Sequence, residues 1–190
     1  KTISSLVWAQ KNQKKNGRLY YCLPNMASIN AMYVTLRNIL GDENVGLLHS
    51  HATAALYVMM EMNSSQKQKQ YLARTDASMA REMYFPFRVC TPHQVLRYML
   101  KGRGWENMLS EFPNSCFIFD EIHSYEPRMT GLIIATAKFC KKMNASVAFI
   151  SATFPKFLLE LISNNLDGVH FIRPNENIPS DKEILEKKRH

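Results

Sequence analysis

Phe117-Ile118-Phe119-Asp120-Glu121-Ile122-His123 passes without a break from an apolar run into two carboxylates and an imidazole. Residues Cys116 to Phe119 are continuously apolar, the pattern of a central strand in a parallel sheet covered on both faces. Open α/β sheets bind ligands at the carboxyl ends of their strands. Two adjacent acids at such an end can divide the work of nucleotide hydrolysis. Asp120 can hold a magnesium ion, directly or through water. Glu121 can orient or deprotonate the attacking water. The plainer reading is a strand end followed by an acidic turn, and the flanking sequence decides between the two.

Downstream, the pattern predicts a helix over Arg128 to Lys142 and a buried strand over Ser146 to Ile150 that ends in Ser151-Ala152-Thr153. A helix over Pro155 to Ile162 follows, then a short strand over Val169 to Ile172. From Asn175 to His190 the chain turns polar and charged, as a linker out of the domain does. Upstream, Arg88-Val89-Cys90 reads as a strand ended by Thr91-Pro92. Proline suits the first turn of the helix that carries Val95, Leu96, Tyr98, Met99 and Leu100 as far as Gly102-Arg103-Gly104. Asn63 to Arg81 is lysine- and glutamine-rich, an exposed loop or helix and the expected flexible part. Ala52 to Met62 reads as a Met-rich helix. Val45 to Leu48 reads as a strand running into His49-Ser50-His51.

Closer to the start, Met26 to Leu40 has Ile29, Met32, Tyr33, Leu36 and Ile39 or Leu40 at helical spacing. It follows the strand Arg18 to Leu23, which Pro24-Asn25 ends. Lys1-Thr2 leads into an amphipathic helix that the polar stretch Gln10 to Gly17 closes, with Gly17 as its C-cap. Strands therefore alternate with helices, the pattern of a doubly wound α/β sheet. Such a sheet gathers Pro24-Asn25, His49-Ser50, Thr91-Pro92, Asp120-Glu121 and Ser151-Ala152-Thr153 along one edge. These residue types suit phosphates and magnesium. The two histidines His49 and His51 would face opposite ways on a strand and lack a third partner, so a nucleic-acid groove fits them better than a metal.

The chain has 190 residues, 46% hydrophobic and 11% aromatic, enough for one domain with a sizeable core. A net charge of +8 favours a polyanionic partner, nucleic acid before membrane. No apolar run reaches membrane-spanning length, and the first residues do not form a signal peptide. Cys22, Cys90, Cys116 and Cys140 form no short pairs of the zinc-binding kind. Most lie in strand-like runs and read as reduced core thiols, which fits a cytosolic home. The opening at Lys1-Thr2 reads as a piece of a longer protein.

Taken in order, these stretches resemble the first RecA-like domain of superfamily 2 helicases, a P-loop NTPase fold with a mostly parallel sheet and helices on both faces. Lys1-Thr2 resembles the end of motif I, and Leu23-Pro24-Asn25-Met26-Ala27 resembles motif Ia. Thr91-Pro92-His93-Gln94-Val95-Leu96 resembles motif Ib. Asp120-Glu121-Ile122-His123 resembles the Walker B motif II (a DEIH box), and Ser151-Ala152-Thr153 resembles motif III. By themselves Lys1 and Thr2 carry almost no information; the ordered set is far more specific than any member. Within that superfamily, Leu47-Leu48-His49-Ser50-His51-Ala52 and Phe119-Asp120-Glu121-Ile122-His123-Ser124-Tyr125 are most similar to the CRISPR-associated helicase of type I systems, the Cas-three family. The motif Ib stretch departs from that family, with His93 where aspartate is usual.

The resemblance implies residues 1–174 as the first RecA-like, ATP-binding domain, cut within motif I, and 175–190 as a linker toward a second RecA-like domain. It implies an ATP-driven translocase on single-stranded DNA in a prokaryotic cytoplasm, with ATP and Mg2+ as cofactors. An RNA-guided CRISPR surveillance complex would recruit it, and an HD nuclease domain or subunit would cut the DNA; no HD signature lies in this chain. Lys1 would neutralise β/γ-phosphate charge, and Thr2 with Asp120 would hold magnesium. Glu121 would activate the water, and His123 would sense the γ-phosphate. Ser151 and Thr153 would bind nucleotide and couple hydrolysis to domain movement. Pro24, Asn25, Thr91, Pro92 and His49 would face the nucleic acid. The second domain would supply an arginine finger, so the chain alone is expected to turn over poorly. The alternatives are a superfamily 2 helicase acting on RNA or duplex DNA, and a non-catalytic nucleic-acid docking module. Without a GxGxxG element, a metabolic α/β enzyme fits least.

Overall fold

The computed structural model describes residues 2–60, 65–82 and 84–172. Five parallel strands form one sheet: β1 (Leu19–Cys22), β2 (Val45–Leu48), β3 (Phe87–Cys90), β4 (Cys116–Phe119) and β5 (Ser146–Phe149). Their order across the sheet is β2-β3-β1-β4-β5. The middle strand is thus β1, with β4 its interior neighbour, a shift of one place from the position expected for the Asp-Glu strand. The outermost strand β5 is only half buried rather than core, because nothing among the described residues pairs with its outer side.

Eight α-helices flank or connect the strands among the described residues: α1 (Thr2–Asn12), α2 (Met26–Leu40), α3 (Ala52–Met59), α4 (Gln66–Arg81), α5 (Pro92–Met99), α6 (Trp105–Glu111), α7 (Pro127–Lys142) and α8 (Lys156–Asn165). Side chains alternate faces along a strand. Leu19 and Tyr21 of β1, Leu47 of β2, Val89 of β3 and Ile118 of β4 therefore share one face. They pack with Ala9 of α1, Ile29 and Leu36 of α2, Leu56 of α3 and Ala77 of α4. Tyr20, Cys22, Phe117 and Phe119 share the other, with Val95 of α5, Ile133 of α7 and Leu158 of α8. The result is the three-layered α/β RecA-like arrangement expected of the alternating pattern.

Several local expectations change. Of the loop or helix expected over Asn63 to Arg81, Gln66–Arg81 is a helix, but its Ala73, Ala77 and Ala80 are buried, so only one face is solvated. α1 stops at Asn12, and Gly17 is not its cap. The left-handed residue there is Asn16, φ 65°. Gly17 is required for room, since a Cβ on it would lie 2.1 Å from the Asn114 carbonyl oxygen. Helix α6, which begins after the left-handed Gly104, has no counterpart in the sequence reading. Its short length gives too few turns for periodicity to register. Val169 to Ile172 forms no strand, and Ile172 is 92% exposed. The expected linker over 175–190 and the expected phosphate contact at Lys1 lie outside the described residues. No described helix is long and apolar enough to cross a membrane. All four cysteines are buried and free, as expected of core thiols.

Candidate functional site

The strands end in register. Leu48 pairs with Cys90, Cys90 with Cys22, Cys22 with Phe119 and Phe119 with Phe149. The next residue on each strand is therefore at one level: His49, Thr91, Leu23, Asp120 and Ile150. This row is the carboxyl edge, where ligands meet an open parallel sheet.

On the β4–β5 half the side chains are joined. Asp120 is 4% exposed. Its Oδ1 accepts the Glu121 backbone N–H at 2.8 Å, and its Oδ2 accepts the Tyr21 hydroxyl at 3.0 Å. Parity explains the second contact. Two residues beyond Ile118, Asp120 points to the same face as Tyr21, diagonally across from it on the neighbouring strand. The Tyr21 proton goes to Asp120, so the single Ser5 hydroxyl proton of α1 is shared between the Thr2 carbonyl at 2.7 Å and Tyr21 Oη at 3.3 Å. The turn that carries Thr2 is thereby tied to Asp120. Burial pushes the Tyr21 phenol well above its ordinary value; the Ser5 hydrogen bond opposes this and the Asp120 charge adds to it. Tyr21 stays protonated and able to donate.

Glu121 sits in the left-handed region, φ 52° and ψ 43°. For a non-glycine residue that conformation is costly and persists only when its surroundings enforce it. Here the Glu121 carbonyl accepts the Ser124 N–H, and Ile122 N–H reaches across to the Ile150 carbonyl of the adjacent strand. The bend aims the carboxylate toward His123, whose Nδ1 is 3.4 Å from Glu121 Oε2 and 2.6 Å from Ser151 Oγ. Ser151 spends its one hydroxyl proton on the Thr153 carbonyl. It therefore accepts from His123 Nδ1–H, which leaves Nε2 to accept from Ser124 Oγ at 3.3 Å. The structure thus joins Asp120, Glu121, His123, Ser151 and Thr153, which come from the ends of two different strands, β4 and β5.

The donor set fits a small hard cation. Magnesium prefers oxygen ligands and one or two carboxylates, and Asp120 with the adjoining turn of Thr2 supplies oxygens of that kind. No cluster of three or more His, Cys, Asp or Glu side chains suited to a metal exists among the described residues. Any magnesium here would therefore need phosphate and water oxygens as well.

The β2–β3–β1 half is built differently. Asn25 is exposed and caps α2, its Oδ1 accepting the Ser28 N–H at 2.9 Å. Pro24 and Thr91 are half buried at the strand ends. Two expectations are corrected. Pro92 is buried in the first turn of α5, so its ring packs inward and leaves no face for a strand. His49 is 7% exposed. Its Nδ1 accepts the His51 N–H at 3.2 Å, and its Nε2 contacts Asn30 Oδ1 at 3.0 Å. With both ring nitrogens engaged, His49 braces the loop, while its neighbours Ser50 and His51 are exposed. Burial first, and the His51 charge second, hold His49 below its ordinary value. The sequence reading passed over Tyr21 and Ser5. The only available signal was the placement of Tyr21 on the face that Asp120 would share.

No protein-family model matches the chain. Curated relatives do. The chain is 28% identical over 183 residues to a putative CRISPR-associated nuclease/helicase Cas3 of Methanocaldococcus jannaschii, with 94% of this chain and 24% of the relative covered. It is 29% identical over 196 residues to the CRISPR-associated nuclease/helicase Cas3 of Methanothermobacter thermautotrophicus, with 100% and 22% covered. It spans about a quarter of the length of these relatives. Among solved structures, the crystal structure of T. fusca Cas3-ATP matches with a TM-score of 0.55 and 20% identity, covering 83% of this chain and 18% of that one. The fold is thus that of a RecA-like domain, and over nearly its whole length the chain is similar to the Cas3 nuclease/helicases, as its ordered motifs indicated.

Proposed function

We propose that residues 1–174 are the first RecA-like domain of an ATP-dependent single-stranded DNA translocase acting in CRISPR interference, with 175–190 leading toward a second such domain. The observation that carries this reading is the linked row Asp120, Glu121, His123 and Ser151 on one edge of a parallel sheet. The similarity to Cas3 nuclease/helicases supports the choice of system.

In this reading the residues at the β4–β5 end, Asp120, Glu121 and His123, would hold the phosphates of ATP, which supplies the bond to be hydrolysed. A magnesium ion at Asp120 and Thr2 would offset phosphate charge and help hold the β- and γ-phosphates. Glu121, aimed outward by its left-handed backbone, orients and accepts a proton from the attacking water. His123 accepts from Ser124 and donates to Ser151, so a change at the γ-phosphate reaches the Ser151–Thr153 turn through one imidazole. Lys1 would neutralise charge on the β- and γ-phosphates. Pro24, Asn25 and Thr91 line the other half of the edge, where exposed backbone and amide groups position a DNA strand without reading its sequence. The surveillance complex, the HD nuclease and the second domain are the partners that this function requires.

The test is DNA-stimulated ATP hydrolysis by the full-length protein, wild type against Glu121→Gln. The expected result is stimulation by single-stranded DNA that the substitution reduces to background while nucleotide still binds. A wild type that hydrolyses nothing with single-stranded DNA, duplex DNA or RNA sinks the motor reading in favour of a docking module. Stimulation by RNA or duplex DNA alone transfers the domain to another class of helicase.

A further inference from the structure

Tyr21 belongs to none of the motif-like stretches, yet it is the side chain that joins two of them. Its ring is fully buried in the face of the sheet that packs against α1 and α2. Its hydroxyl emerges at one place only, between Asp120 Oδ2 at 3.0 Å and Ser5 Oγ at 3.3 Å. Ser5 is itself buried and bonded to the Thr2 carbonyl at 2.7 Å. The bridge thus runs from the first turn of α1, through the middle strand of the sheet, to the carboxylate at the end of β4.

We propose that Tyr21 is a positioning residue for the metal site: it holds the Asp120 carboxylate and the Thr2 turn in one arrangement that accepts magnesium carried with a nucleotide phosphate. The inference rests on the functional reading above. Carboxylates in metal sites owe their orientation to the groups hydrogen-bonded behind them. Here the Glu121 N–H fixes Oδ1 and the Tyr21 hydroxyl fixes Oδ2, so the carboxylate plane is set from two sides. A carboxylate oxygen has more than one lone-pair direction, so accepting from Tyr21 is compatible with also meeting a metal or its water. The phenol comes from β1, where packing clamps its ring, and not from the turn after β4 itself. The position of Asp120 is therefore referred to the core of the sheet.

The experiment measures nucleotide affinity of the full-length protein with Mg2+ and with EDTA, for wild type, Tyr21→Phe and Ser5→Ala. It is read beside the melting temperature of the nucleotide-free proteins. Tyr21→Phe keeps the buried ring and removes only the hydroxyl. The expected result is an affinity gain from Mg2+ reduced about tenfold, with EDTA affinity and melting temperature unchanged. Ser5→Ala should reduce the gain less. In an Asp120→Asn background Tyr21→Phe should have no further effect. An unchanged Mg2+-linked gain in Tyr21→Phe overturns the inference and leaves the functional reading standing. Equal losses with Mg2+ and EDTA, together with a lower melting temperature, overturn it in favour of a packing role. A wild type that binds no nucleotide overturns the functional reading and this inference with it.

Discussion

Two groups of charged side chains stand toward opposite edges of the same sheet, and they are built to opposite plans. At the carboxyl edge, Glu121, His123 and Ser151 touch one another while staying partly exposed, and Glu121 is held in a costly backbone conformation. Toward the amino edge, Arg88 is 0% exposed. It donates to Tyr20 Oη at 2.9 Å, lies over the Tyr20 ring at 5.3 Å, and has NH2 3.6 Å from Glu111 Oε2. The same Glu111 oxygen accepts Arg18 Nε at 2.6 Å. Tyr20 in turn stacks on Phe117, ring centroids 4.6 Å apart. The amino-edge charges are turned inward and tie β1, β3 and α6 together. The carboxyl-edge charges are turned outward, at a cost in local strain. Residue type alone does not separate an ion pair turned into the fold from one presented at the ligand-facing edge of a sheet; exposure and backbone strain do.

The largest effect expected is at Glu111. Glu111→Ala strips the buried Arg88 guanidinium of its carboxylate and should cost about 3–5 kcal/mol in chemical denaturation, because an uncompensated buried charge remains. Replacing the pair together, Arg88→Met with Glu111→Leu, should recover most of that loss. Nucleotide affinity of the protein that stays folded should not move in either variant. A drop in affinity at full folding would show that the two ends are not independent.

Glu121 should behave in the reverse sense. Glu121→Gly removes the penalty of a left-handed side-chain-bearing residue and should raise stability by about 1 kcal/mol in the same assay. Hydrolysis in the full-length protein should fall to background. A variant that loses stability would mean that the Glu121 side-chain contacts outweigh the strain, and the contrast between the two ends would narrow. On the β2–β3–β1 half of the edge, Asn25→Ala removes the cap of α2 and should cost about 1 kcal/mol, read as a urea midpoint shift. DNA affinity should fall beyond what unfolding explains if Asn25 also meets the strand.

The smallest effect concerns pH. His49 is held below its ordinary value in the fold, mainly by burial and secondarily by the His51 charge. The unfolded chain therefore binds a proton there that the folded chain refuses. The stabilising contribution is complete above about pH 6.5 and is lost as pH falls toward the lowered folded value, by at most about 1.4 kcal/mol per pH unit. His49→Gln should flatten that decline in denaturation midpoints measured from pH 7.5 down to 5. An unaltered slope would assign the decline to other groups.

What could be read directly from the chain were the local and ordered features. Val45 to Leu48 and Met26 to Leu40 fall where the pattern placed them, because apolar periodicity and the Asn25 and Gly41 boundaries act over a few residues. The order of strand ends was also legible, since alternating strands and helices leave a parallel sheet as the simplest assembly. The residues that complete the site were decided in three dimensions. Tyr21 and Asp120 are 99 residues apart, and they meet because β1 and β4 pair with Cys22 opposite Phe119. Arg88 reads only as part of a strand, and α6, too short to announce itself, supplies the Glu111 that pairs with it. His49 and Pro92 have the composition of ligand contacts, and burial turned them into braces. Pattern specifies which faces are apolar, because burial is a local property of each side chain's chemistry. Register and layer order, which follow from packing the whole sheet at once, specify which polar groups end up facing one another.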